Sequence, residues 1–267
     1  MKNDGIELDY DIPFEIQEML EGYQWEKVNI GWSKSDVFRL KNQEDRVIYL
    51  KVSIPDNEFN FDREQKLLRW LYSKLPVPEV LSYSKNKGRE FLILSEIKGR
   101  VSYDAVSEEE IRNNILILTD GLKKIHSIDI SDCPLESTPD LLLKTAKYRL
   151  EQGSIDNKNF DPRWKNTTPE ELFKIIKGMK PSSFDLVFTH GDYCLPNVLV
   201  HKKKLSGFID WLYGGINDRN YDIAAVVWSI GYNFGEEWVP LFLDKYGKDK
   251  IDWSKVKYFQ MLNSFID

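Results

Sequence analysis

Residues 189–211 read Thr-His-Gly-Asp-Tyr-Cys-Leu-Pro-Asn-Val-Leu-Val-His-Lys-Lys-Lys-Leu-Ser-Gly-Phe-Ile-Asp-Trp. Asp, Asn and Gly favour turns for backbone reasons, so any one of these polar residues alone reads as structural. Together they ask for more. "NVLV" and "LSGFI" flank the polar "HKKK" and predict a short hairpin. With the turn near Lys202–Lys204, antiparallel pairing brings Asn197 and Asp210 to its open end, and Asp192 lies in the loop just before it. Three oxygen-bearing side chains in one loop region suit a hard cation such as Mg²⁺, which normally shares a phosphate ligand.

The spacing HxDxxxxN with a hairpin return to Asp is the layout of a kinase catalytic loop. One Asp receives the proton of the acceptor hydroxyl, and the Asn and second Asp sit on metal. That reading demands a strand Lys paired with a Glu on the following helix. "RVIYLKVSI" (46–54) supplies Lys51, flanked by apolar residues and so in need of a partner, and "FDREQKLLRWLYSKL" supplies Glu64. Tyr49 lies two residues before Lys51 and faces the same side of the strand, where it could stack on a base. No GxxxxGK[ST] or GxGxxG occurs. "NIGWSKSDVFRL" (29–40) offers one glycine, Ser33 and Ser35 as a phosphate-covering turn.

The rest of the chain fits around this. Its 267 residues are 42% hydrophobic and 30% charged, a composition with enough apolar material for a sizeable core. The net charge of −6 argues against a nucleic-acid binder, which usually carries a basic patch. Two cysteines, Cys133 and Cys194, cannot build a disulfide framework, and the three histidines lack zinc spacing. No signal peptide or membrane span is expected, so the expectation is a cytoplasmic protein with no nucleic-acid or membrane partner, a monomer or weak dimer. The first ~100 residues read as strand-rich with one long helix ending at Pro76 and Pro78. Beyond them the pattern turns helical, with capping boxes at Ser107/Glu110 and Thr168/Glu171. The predicted fold class is α+β, a small β-rich lobe and a larger α-rich lobe with a ligand between them.

These residues carry a family resemblance. "FTHGDYCLPNVLV…KLSGFID", "YLKV", "DREQKLLRWLYSKLPVPEVL", "LILSEIKG", "IHSIDISDCP" and "KYFQMLNSF" resemble, in order, segments of the aminoglycoside 3'-phosphotransferases. HGDxxxxN is shared by many small-molecule kinases; "THGDxCLPN" with "HSIDISDCP" is more specific. The resemblance implies a bilobal protein-kinase-like fold, with a nucleotide-binding lobe over residues 1–97 and a catalytic and substrate-binding lobe over 98–267. It implies ATP or GTP with Mg²⁺ as co-substrate and an aminoglycoside acceptor. Asp192 would be the catalytic carboxylate and Asn197 and Asp210 the metal ligands. Lys51, Glu64, Tyr49, Ser33 and the backbone of Ile97 would bind nucleotide, and Asp161 and Asp267 would face the acceptor. Asp222 matches an invariant family Asp and reads as a helix N-cap that braces the catalytic loop.

The chain departs from the family after "FID". Leu212 and Tyr213 replace the usual Gly and Arg, and Trp228 stands where many relatives have Arg. Lys158 reverses a loop charge, and Asn263-Ser264 is a neutral version of a terminal acidic pair. Each lost carboxylate–ammonium contact weakens acceptor binding by about 1–3 kcal/mol.

Overall fold

The computed structural model describes residues 8, 10–28, 35–55 and 59–266. The chain divides into two units, one running up to Gly99 and including Ser206–Leu212, the other comprising Arg100–Leu205 and the residues from Tyr213 onward. A single boundary at 97/98 does not express the grouping of Ser206–Leu212 with the first unit.

The first unit is built on a five-stranded antiparallel sheet of β1 (Gln24–Lys27), β2 (Asp36–Lys41), β3 (Val47–Ser53), β4 (Val80–Asn86) and β5 (Arg89–Ser95), ordered β1-β2-β3-β5-β4. The Lys51 strand read at 46–54 is β3. The alternation of β3 decides which face does what. Ile48, Leu50 and Val52 are buried, while Tyr49, Lys51 and Ser53 are half-buried on the opposite face. The buried set packs with Phe38, Leu40, Phe91 and Ile93, and with Ile12, Ile16 and Leu20 in and around helix α1 (Phe14–Met19). Helix α2 (Phe61–Leu71) starts where the Asn60 side chain accepts from Arg63 N–H at 3.0 Å. Its buried stripe is Phe61, Glu64, Leu67, Leu68 and Leu71, so one carboxylate sits at an apolar position. Residues 206–212 join this unit through Phe208 N–H, which donates to Pro76 O at 2.9 Å. Only glycine fits at 207, because a Cβ there would lie 2.7 Å from Pro76 O and 2.9 Å from Ile97 Cγ2.

The second unit is mainly helical. In chain order it holds β6 (Arg100–Val101), α3 (Glu108–His126), α4 (Pro139–Glu151), α5 (Pro169–Gly178), β7 (Leu186–Thr189) and β8 (Val198–His201). Then come β9 (Lys204–Phe208), inside which the unit boundary falls, β10 (Gly215–Asp218), α6 (Asn220–Phe234), α7 (Val239–Tyr246) and α8 (Trp253–Asn263). The predicted hairpin is β8 and β9, joined by a two-residue turn with Lys202 and Lys203 at φ 49° and 59°. Helix α6 is apolar nearly all round and runs through the core, with Ile223, Ala224, Val226 and Ile230 fully buried. The Thr168/Glu171 box caps α5 as expected. At α3 only half of the predicted box forms. The Ser107 hydroxyl accepts from Glu110 N–H, but the Glu110 carboxylate takes the N–H of Val106 instead.

Candidate active site

In the first unit the sequence-predicted partners meet. Lys51 Nζ donates to both carboxylate oxygens of Glu64, at 2.9 and 2.8 Å, and to Asp210 Oδ1 at 3.1 Å. The half-open face of β3 delivers Lys51, and the buried stripe of α2 delivers Glu64. The side chains of Lys51 and Glu64 are 12% and 1% exposed, whereas Asp210 is 42% exposed, so the charge cluster has one sealed end and one open end. Burial by itself lowers the Lys51 pKa, but Asp210 and Glu64 outweigh it and hold the ammonium above its ordinary range. Burial, with the nearby Asp210 charge, pushes the Glu64 carboxyl up against the pull of Lys51. The bidentate ammonium and the Trp211 N–H, 3.4 Å from Oε1, are the contacts that make the buried carboxylate tenable. Asp210 itself has a left-handed backbone, φ 64°.

Tyr49 lies on the same half-open face as Lys51, paired across the sheet with Arg39 and Leu94. Beyond β5, Glu96 and Ile97 are half-buried and make no backbone hydrogen bonds among the described residues, leaving that stretch of main chain able to bond a ligand. Ser33 lies outside the described residues.

In the second unit the loop between β7 and β8 carries Asp192 and Asn197. Asn197 Nδ2 donates to Asp192 O at 3.0 Å and to Asp192 Oδ2 at 2.7 Å. The loop is held from beneath by Asp222, whose Oδ2 accepts from His190 N–H and whose Oδ1 accepts from Gly191 N–H, both at 2.8 Å. Asp222 is fully buried, and His126 Nε2 lies 3.0 Å from its Oδ2. His126 Nδ1 is in turn 2.7 Å from the Tyr246 hydroxyl. The expected brace on the loop is present, but Asp222 is not an N-cap. It is the third residue of α6, with its carboxylate turned onto the loop. Gly191 has φ 88°, and a Cβ there would lie 2.3 Å from Tyr213 O. The loop that presents Asp192 therefore requires glycine for both conformation and space.

Among the described residues no group of three His, Cys, Asp or Glu side chains stands as a metal site. Of the donor types a hard cation takes, the first unit presents the partly exposed Asp210 carboxylate, and the second presents the Asn197 amide oxygen, oriented by the commitment of its NH₂ to Asp192. Asp161 is engaged otherwise. Arg163 holds both of its carboxylate oxygens, Nε on Oδ1 at 2.8 Å and Nη2 on Oδ2 at 2.9 Å. Asp267 lies outside the described residues.

Residues 24–259 match the model of a family described as a phosphotransferase enzyme family. An aminoglycoside 3'-phosphotransferase of Enterococcus faecalis is 35% identical over 93% of this chain and 96% of the relative. One of Niallia circulans is 32% identical over 95% and 97%. The chain belongs to the aminoglycoside 3'-phosphotransferase family. It is thus an enzyme, a phosphotransferase. The crystal structure of an aminoglycoside-3'-phosphotransferase of type VIII superposes with a TM-score of 0.84 at 25% identity, covering 94% of this chain and 96% of that one. The expected protein-kinase-like α+β fold is the fold of this family.

Two participants leave no signal of their role in the sequence. His126 contacts Asp222 across 96 positions. Trp211 N–H adds a second donor to Glu64. Arg163 had a local signal, since an Arg two residues after an Asp at a turn can fold back on it.

Proposed function

We propose that this enzyme transfers the γ-phosphate of a magnesium-bound nucleoside triphosphate, ATP in the first instance, to the 3'-hydroxyl of an aminoglycoside, and so confers resistance to it. The observation that carries the reading is the Asp192–Asn197 pair on an Asp222-braced loop, in a chain related over nearly its whole length to aminoglycoside 3'-phosphotransferases. Asp192 would accept the proton of the attacking hydroxyl. The Asn197 amide fixes the orientation of that carboxylate. Lys51, held by Glu64, would bind the α- and β-phosphates. Tyr49 would lie against the base and the main chain of Ile97 would hydrogen-bond its edge, with Ser33 covering the phosphates. Asn197 and Asp210 would hold the magnesium, which would supply positive charge against the phosphates. Catalysis of this kind rests on positioning and charge rather than covalent chemistry. Among the described residues no helix is long and apolar enough to cross a membrane, and a nucleotide-dependent kinase of this type would work in the cytoplasm.

The test is a coupled assay of ADP release against 4,5- and 4,6-linked aminoglycosides, with the phosphate mapped in the product. Kanamycin-dependent ADP release above background, with phosphate on the 3'-oxygen, is expected. Release at background across the panel would overturn the reading. One observation favours a second reading, a kinase of another amino-sugar or hydroxylated metabolite. The Asp161 carboxylate is spent on Arg163, and Asn263-Ser264 carries no charge, so the acid set toward a polycation is thinned. Preferential turnover of such a metabolite would select it.

A further inference from the structure

Helix α6 does two things at once. Asp222 and Ser229, seven residues apart and so on one face, grip the catalytic loop, Asp222 at Gly191 and Ser229 through its hydroxyl, which accepts from Leu195 N–H at 3.0 Å. The neighbouring face carries Trp228 and Tyr232, four residues apart. Their rings are stacked, 5.1 Å between centroids and 13° between planes. They are nonetheless 42% and 71% exposed. Isolated exposed aromatics are ordinary, but a parallel pair on the helix that fixes the catalytic loop is a built surface.

The two borders of this pair differ. Trp228 stands beside Asp161, whose carboxylate is held by Arg163. On the other side, a Cβ at Gly231 would lie 2.5 Å from Glu236 Oε1, so the exposed Glu236 carboxylate rests over α6 at the position that glycine vacates, one turn beyond Tyr232. Flat π faces beside carboxylates match the chemistry of an amino-sugar, whose ring presents a C–H face and whose ammonium groups are drawn both to aromatic faces and to anions.

We infer that Trp228 and Tyr232, with Glu236 at their edge, form the acceptor platform of this enzyme, on which an amino-sugar ring lies while its hydroxyl is offered to Asp192. The inference rests on the proposed acceptor class and names how this chain binds it: by aromatic faces, where Asp161 is already neutralised by Arg163. Specificity then follows ring shape more than total charge.

The experiment combines kinetics with fluorescence, using kanamycin as the probe. Trp228→Ala and Tyr232→Ala are expected to raise the kanamycin KM about tenfold, with kcat and the nucleotide KM within about twofold of the parent. Trp228→Phe, which keeps a stackable ring, should restore most of the affinity. The chain has 8 tryptophans, so the Trp228 signal is read as a difference. Kanamycin should change the emission of the parent and not that of Trp228→Phe. An unchanged KM in both alanine variants, or a ligand-induced emission change that survives in Trp228→Phe, would overturn the platform. If the parent does not phosphorylate kanamycin, the proposed function fails, while the fluorescence titration still decides whether an amino-sugar binds at Trp228.

Discussion

The two units hold their candidate-site residues by different means. In the first unit Lys51, Glu64 and Asp210 are locked by charge, with one ammonium satisfying two carboxylates, one of them fully buried. In the second unit the Asn197 amide donates to Asp192, and the main-chain N–H groups of His190 and Gly191 donate to the buried Asp222. Under the proposed function the first arrangement would fix a phosphate-binding lysine, and the second would aim the carboxylate that receives the acceptor's proton.

The sharpest break in this contrast comes from Asp192→Ala. We expect kcat to fall on the order of 10³-fold with nucleotide affinity changed by no more than about threefold, read by coupled assay and calorimetric titration. Equal turnover of variant and parent would show that another group takes the proton. Next in size is Asp222→Ala, which leaves two buried N–H groups and His126 without their acceptor. It should cost about 3 kcal/mol in urea unfolding and lower kcat as well. A variant of parental stability would mean that the loop is braced elsewhere. Glu64→Gln attacks the other side. It keeps the shape of the side chain but removes the buried charge that steadies Lys51. We expect the nucleotide KM to rise about tenfold while the acceptor KM stays put; the reverse split would contradict the division of labour.

The smallest effect concerns alkaline pH. Burial raises the phenols of Tyr193, Tyr246 and Tyr258, the last to about 12 against an ordinary 10.0. A group that holds its proton more tightly when folded stabilises fully below its unfolded pKa and loses that contribution as pH climbs through the folded one. Stability should therefore hold below about pH 10 and decline toward pH 12. Melting temperatures flat across that window would count against it.

The part of the site that lay open in the sequence is the part written in local pattern. Lys51 stood out as a charge among β-branched and apolar neighbours in a strand, and Glu64 as the acid on the next amphipathic helix. The polar run at Lys202–Lys204 announced the hairpin. What stayed hidden depends on distant partners or on weak pattern. β1 contains one apolar residue, Trp25, among polar ones, and so shows no alternation to read. β10, "GIND", is too short to carry a period. His126 meets Asp222 through a tertiary hydrogen bond that leaves no periodic trace. Asp161 looked like an available acid because sequence shows a carboxylate, and only the folded turn shows Arg163 occupying it.

The grouping of Ser206–Leu212 with the first unit has a consequence for how the protein is made. Lys51 and Glu64 are joined early, but Asp210 and the Trp211 N–H reach them from more than 140 positions downstream. A chain growing from its N-terminus completes the sheet of the first unit long before it can finish that unit's charge cluster. The whole second unit up to Leu205 must be synthesised in between. A fragment ending at Gly99 thus contains every strand of the five-stranded sheet and still lacks two of the contacts that steady its buried glutamate.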